Sequence, residues 1–146
     1  MRSTVLCVVS AAALAAAVAA DAQTANSISA PIQGLRNNTG QVRCGLFNSA
    51  ATFRQPGKEL MGVAVPIANQ QATCVFNNVP PGTYAVAIFH AEKGETKMRT
   101  GFFGQPEEGY GFSRDAKGSM GPPAFSAAAY TYAGGATIWP ATITYP

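Results

Sequence analysis

The chain has 146 residues, a formal net charge of +3, 47% hydrophobic and 12% charged residues, three cysteines and a single histidine. Its basic residues are scattered from Arg36 to Lys117 with no cluster or basic helix, which argues against a nucleic-acid-binding domain. With one histidine, neither a histidine-based nucleophilic site nor a histidine-rich metal centre is easily assembled.

Residues 1–22 read as a secretory signal peptide: Arg2 opens the segment, and an alanine-rich apolar run follows from Val5 to Ala20. Small residues permit cleavage after Ala20 or Ala22, and the run falls short of the about 20 residues a membrane span needs. Residues 23–146 are one domain's worth of chain, with no later segment apolar and long enough to span a bilayer. Arg2 and Asp21 leave with the leader, so the net charge is unchanged. The expected location is the periplasm or the exterior, and the expected state a monomer. Cys7 is lost with the leader. Cys44 and Cys74 then remain, in an oxidising compartment that favours a disulfide over a two-cysteine metal site.

The mature chain reads as strands and turns. "SISAPIQGL" puts Ile28, Ala30 and Ile32 on one face, and Pro31 suggests an edge strand. After the turn "RNNTG", "QVRCGLF" places Val42, Cys44 and Leu46 on one side and Gln41 and Arg43 on the other. A helical turn is expected from Ser49, then a short strand in "GVAVPI". "ATCVFNNV" aligns Ala72, Cys74 and Phe76. The turn at Pro80 to Gly82 leads into "TYAVAIFH", with Tyr84, Val86, Ile88 and His90 on one face and Ala85, Ala87 and Phe89 on the other. A further turn is expected near Ser126 to Ala129, and Gly134-Gly135 suggests a final hairpin. The sum is an all-β sandwich of about seven antiparallel strands, immunoglobulin-like or transthyretin-like, with one long Gly/Pro/aromatic loop. The two cysteines fall on core-facing strand positions, so a bridge between them is geometrically reasonable.

"GLRNNTGQVRCGLFNSAATF", "NNVPPGTYAVAIFH", "PEEGYGFSRDAKGSMGPPAF" and "GGATIWPATITYP" together resemble the DUF2141 family of exported bacterial proteins. The resemblance runs from about Ile28 to Pro146. It implies a sandwich similar to transthyretin-like and carboxypeptidase regulatory-like domains, and it implies no activity. Where the family carries a pattern of the form HDxNxNGKxD, similar to a calcium loop, this chain has "HAEKGETKMRT". Ala91, Lys93 and Arg99 replace oxygen-bearing residues, and only Glu92 and Glu95 remain anionic, so no metal and no cofactor is expected. Hydroxyisourate hydrolase, an enzyme of similar fold, needs several histidines and a different C-terminus from "TITYP".

No catalytic constellation is read from the residues. His90 ends an apolar strand face, and Glu107 and Glu108 are neighbours that tend to point apart in an extended segment. The Gly101 to Tyr130 loop has two readings: its aromatics cap the sandwich, or they form a stacking surface for a sugar ring or peptide. The candidate ligand surface comprises His90, Glu107, Tyr110, Phe112 and Arg114. The functional expectation is a non-catalytic exported binding or accessory domain with an unidentified envelope ligand or protein partner. The alternative is an interaction module working by edge-strand pairing.

Overall fold

A computed structural model of the chain describes residues 26–102 and 104–146; the expected leader lies outside the described residues. Among these residues, nine short strands make two sheets. The order is β1 (Ser27–Gln33), β2 (Gln41–Phe47), β3 (Met61–Pro66), β4 (Ala72–Asn77), β5 (Gly82–Ala91), β6 (Tyr110–Phe112), a single helical turn α1 (Phe125–Ala128), β7 (Tyr130–Tyr132), β8 (Ala136–Ile138) and β9 (Ala141–Thr142). The first sheet runs β4-β1-β8, with β9 also on β1; the second runs β3-β2-β5-β6, with β7 also on β5.

Strict alternation builds the core. Ile28, Ala30 and Ile32 of β1 meet Val42, Cys44 and Leu46 of β2 between the sheets, joined by Cys74 and Phe76 of β4 and by Val86 and Ile88 of β5. Cys44 of the second sheet and Cys74 of the first are disulfide-bonded, with Cα atoms 6.4 Å apart. The bond therefore fastens one layer to the other. Trp139, 5% exposed, stacks on Tyr130 with ring centroids 4.7 Å apart and belongs to this core.

Two expectations are corrected. Pro31 does not mark an edge: β1 is the central strand of its sheet, antiparallel to β4 on one side and parallel to β8 and β9 on the other. The parallel partner is interrupted between Ile138 and Ala141, opposite Ala30 and Pro31, so a residue without an N–H sits where the ladder is already broken. The Gly134-Gly135 turn likewise joins no hairpin. β7 before it pairs with β5, whereas β8 after it pairs with β1, so the chain crosses between sheets there, with both glycines at positive φ. The sandwich is thus of mixed pairing rather than wholly antiparallel.

The long loop is ordered by its own small elements. β6 and β7 both lie along β5 and leave a gap at Val86, which Ser113 fills: its hydroxyl accepts from the Val86 N–H at 2.9 Å and donates to the Ala128 carbonyl at 2.5 Å. Arg114 and Asp115 are both in the left-handed region, with φ of 61° and 47°. Arg114 donates to the Ala129 carbonyl, and the Asp115 carboxylate accepts from the Thr142 N–H at 2.7 Å. The turn after Ser49 forms as expected, and it carries Phe53 onto Phe112 and Phe125 in a second apolar cluster with Phe47, Ala85 and Ala128. That cluster covers one end of the outer face of the second sheet.

Candidate functional site

Four antiparallel strands set out the uncovered part of that outer face in two cross-strand rows. Ala64, Arg43, Phe89 and Tyr110 form one, and Gly62, Gly45, Ala87 and Phe112 the next. A third pair, Phe47 and Ala85, is already under the second cluster. Half of these positions carry small residues, Gly62, Gly45, Ala64 and Ala87; the Glu59 side chain lies over both glycines and the edge of the Phe47 ring over Gly45, which leaves Ala64 and Ala87 as the low part of the floor. The surrounding segments line it: Arg54 to Gly57 and Glu59 from one, and residues 96–100 and 104–107 from another. The result is a groove of about 1350 Å³.

Arg43 is the one long polar side chain in the two rows. It is half-buried, and among the described residues its Nε is the one buried side-chain polar atom without a hydrogen-bond partner. The other arginines near this end are engaged differently. Arg99 sits among three carboxylates: Glu108 at 2.5 Å from Nε, Glu107 at 3.3 Å and Glu95 at 3.3 Å. Glu108, only 3% exposed through its side chain, also accepts from the Arg99 backbone N–H at 2.7 Å. Hydrogen bonding to Glu108 above all, against the opposing effect of burial, raises the Arg99 pKa. Where the family resemblance would call for a carboxylate, this chain supplies a cation and surrounds it with acids.

His90 is fully buried on the other side of β5 and faces the sandwich interior, away from the groove. Its Nε2 lies 2.7 Å from the Thr39 carbonyl, which can only accept, so that nitrogen donates. In the neutral ring, Nδ1 then accepts from the Tyr145 hydroxyl, also at 2.7 Å. The same hydroxyl oxygen accepts from the Arg36 N–H, and the Arg36 guanidinium lies 4.4 Å over the Tyr145 ring. Arg36 pairs with Glu92 through two bonds of 2.6 and 2.7 Å, and Asn37 donates to the same carboxylate. Hydrogen bonding from Arg36 foremost, offset in part by burial and helped by Asn37, holds the Glu92 carboxyl at about 2 instead of 4.5. This assembly ties the 34–40 segment, the end of β5 and the C-terminus together.

The five residues expected on a ligand surface therefore part company. Tyr110 and Glu107 line the groove; Phe112 lines it too, but at 5% exposure it is chiefly a member of the second cluster. His90 is in the core. Arg114 turns away to the Ala129 carbonyl and lies 5.5 Å over Tyr130. Arg43, Gly45, Gly62, Ala64, Ala87 and Phe89 were not read as site residues. The available signal was the run of small residues at outward strand positions, where a solvated face carries polar side chains. A smaller hollow of about 470 Å³ lies beside β6, but its one acid, Asp115, is already bonded to Thr142.

An all-β two-layer sandwich with a long ordered loop and a groove on one sheet is the class of protein that this geometry defines. The chain belongs to the DUF2141 family, described as an uncharacterized protein conserved in bacteria, which it matches over residues 31–139. No curated protein and no solved structure shows significant similarity to it. Among the described residues, no helix is long and apolar enough to cross a membrane. A disulfide such as Cys44–Cys74 is characteristic of chains that fold outside the reducing cytoplasm.

Proposed function

We propose that the protein is a non-catalytic binding or accessory domain acting in the periplasm or outside the cell, with the outer-face groove as its binding surface. The observation that carries this reading is a large groove on the outer face of the second sheet and, in its floor, an arginine without an oxygen partner among the described residues. A catalytic reading finds less support. Both ring nitrogens of the single histidine are bonded inside the fold, and Arg99 occupies the Glu107 and Glu108 carboxylates.

Strand addition is the second reading, and one observation favours it. β3 pairs only with β2 and β4 only with β1 among the described residues, so each sheet has a six-residue strand with one unpaired side. A pull-down from the cell envelope separates the two. Ala64→Trp fills the groove floor from an exposed position, and Val75→Lys places a charge on β4 at the other sheet's edge. Loss of the captured partner with Phe89→Ala on the internal strand β5 as well as with Ala64→Trp, but not with Val75→Lys, is the expected result; loss confined to Ala64→Trp on the β3 edge or to Val75→Lys on the β4 edge would establish strand addition instead.

A further inference from the structure

The chemistry of the groove narrows what it can hold, and the inference rests on the binding reading above. Arg36, Arg99 and Arg114 each have an oxygen partner within the fold. Arg43 has none among the described residues, and its Nε is screened from the water that would otherwise replace one. A guanidinium left without an oxygen partner inside the fold is best matched by a carboxylate.

The charge of the walls agrees. Arg43, Arg54 and Lys97 line the groove with no acidic partner among the described residues, against Glu59 as the one acid not tied to Arg99. The excess is positive, so an anionic group is favoured. The volume exceeds the roughly 300–1,000 Å³ of a small-molecule cleft, which points to an extended ligand. Gly62, Gly45, Ala64 and Ala87 supply no side-chain groups to read sugar hydroxyls, and the three cations not tied to an acid make no track for a phosphate backbone. Ala64 and Ala87 let a main chain approach the sheet, with the half-buried rings of Phe89 and Tyr110 beside it for an apolar side chain; over Gly45 and Gly62 the Glu59 side chain already lies.

We propose that the groove binds an extended peptide segment of a partner protein, and that Arg43 fixes one Asp or Glu side chain of that segment. Arg43 is the specificity-determining residue; Phe89 and Tyr110 pack against the flanking residue.

Fluorescently labelled, terminally blocked heptapeptides test this against the folded mature protein. One set carries a central Asp or Glu on varied apolar flanks, and the matched set carries Asn or Gln. The acidic set should bind about tenfold more tightly or better, the difference expected for a charge-assisted bond. Arg43→Gln should erase that difference while leaving the melting temperature near the parent value. Arg43→Lys should restore only part of it, because an ammonium cannot make the planar two-pronged contact. Ala64→Trp should weaken both sets. Equal binding of the two sets, or an acidic preference that survives Arg43→Gln, overturns the proposal. If neither set binds yet Ala64→Trp and Phe89→Ala still abolish capture of the envelope partner, the peptide inference falls and the groove reading stands. If acidic peptides bind Ala64→Trp as well as the parent, both fall.

Discussion

Cys44 and Cys74 sit on different sheets, with Cα atoms 6.4 Å apart, so one covalent bond joins the two layers through the centre of the core. The bond closes a segment with a sequence separation of 30, for which the loss of unfolded-chain entropy is worth about 3–4 kcal/mol. Reduction, or the double substitution Cys44→Ser and Cys74→Ser, should lower unfolding stability by about that amount. Urea titration with and without reductant, with thiols counted by mass spectrometry, measures it. Two free thiols in the unreduced protein would contradict the structure.

Glu92 gives the fold a defined acid sensitivity. Its carboxyl is held at about 2 in the folded chain, below its ordinary 4.5, mainly by the Arg36 hydrogen bond. A depressed carboxyl contributes stability that is complete above the unfolded value and is lost as pH falls toward the folded one. Thermal melts should therefore weaken between about pH 4.5 and about 2, and Glu92→Gln should lower stability at neutral pH while flattening that decline. An equally steep acid limb in Glu92→Gln would place the sensitivity elsewhere.

Arg99 makes a calcium response unnecessary. Its guanidinium already lies within 3.3 Å of Glu95 and Glu107 and bonds Glu108, the anions a divalent ion would need. Millimolar calcium should shift the melting temperature of the parent protein by no more than about 1 °C. Arg99→Ala should lower it further than Glu107→Ala does, because it strands the buried Glu108 carboxylate whereas Glu107 is 43% exposed. Differential scanning fluorimetry of the three proteins, with and without calcium, checks both statements.

Gly111 tests why the long loop is rich in glycine. It is not in the left-handed region; a Cβ there would collide with the Thr142 carbonyl oxygen, where the C-terminal segment crosses β6. Gly111→Ala should cost about 1–3 kcal/mol, as overpacking does. Gly57 has the opposite problem, a φ of 75° with open space around it, and Gly57→Ala should cost only about 1 kcal/mol. Chemical denaturation of the two variants compares close approach with backbone conformation directly.

Much of the sandwich was legible because β1 and β4 alternate strictly and β2 does so up to its last residue, and a period of two over six or more residues fixes which face is buried; β5 keeps the same inward set although Ala85 and Ala91 are buried on its other face. The inward set Val42, Cys44, Leu46, Cys74, Phe76, Val86 and Ile88 follows from that pattern alone. Strands of two or three residues carry no such period. β6 was hidden among glycines, and the pairing of β8 and β9 with β1 depends on contacts more than a hundred residues away in sequence. His90 shared its face with Val86 and Ile88 yet was expected on the ligand surface; its complete burial depends on Tyr145 and Thr39, which local sequence cannot place. The groove was least legible. Gly45, Gly62, Ala64 and Ala87 are unremarkable one at a time and acquire meaning only in register.

Register is also what the central claim depends on. Backbone amide shifts of the isotopically labelled protein, followed by NMR as the tightest-binding acidic heptapeptide is added, test that claim most directly. The account predicts perturbations centred on Arg43, Gly45, Gly62, Ala64, Ala87 and Phe89, with His90 and the outer face of β4 unmoved. A map centred on the free sides of β3 and β4, or no perturbation on the outer face of the second sheet at saturating binding, would contradict it.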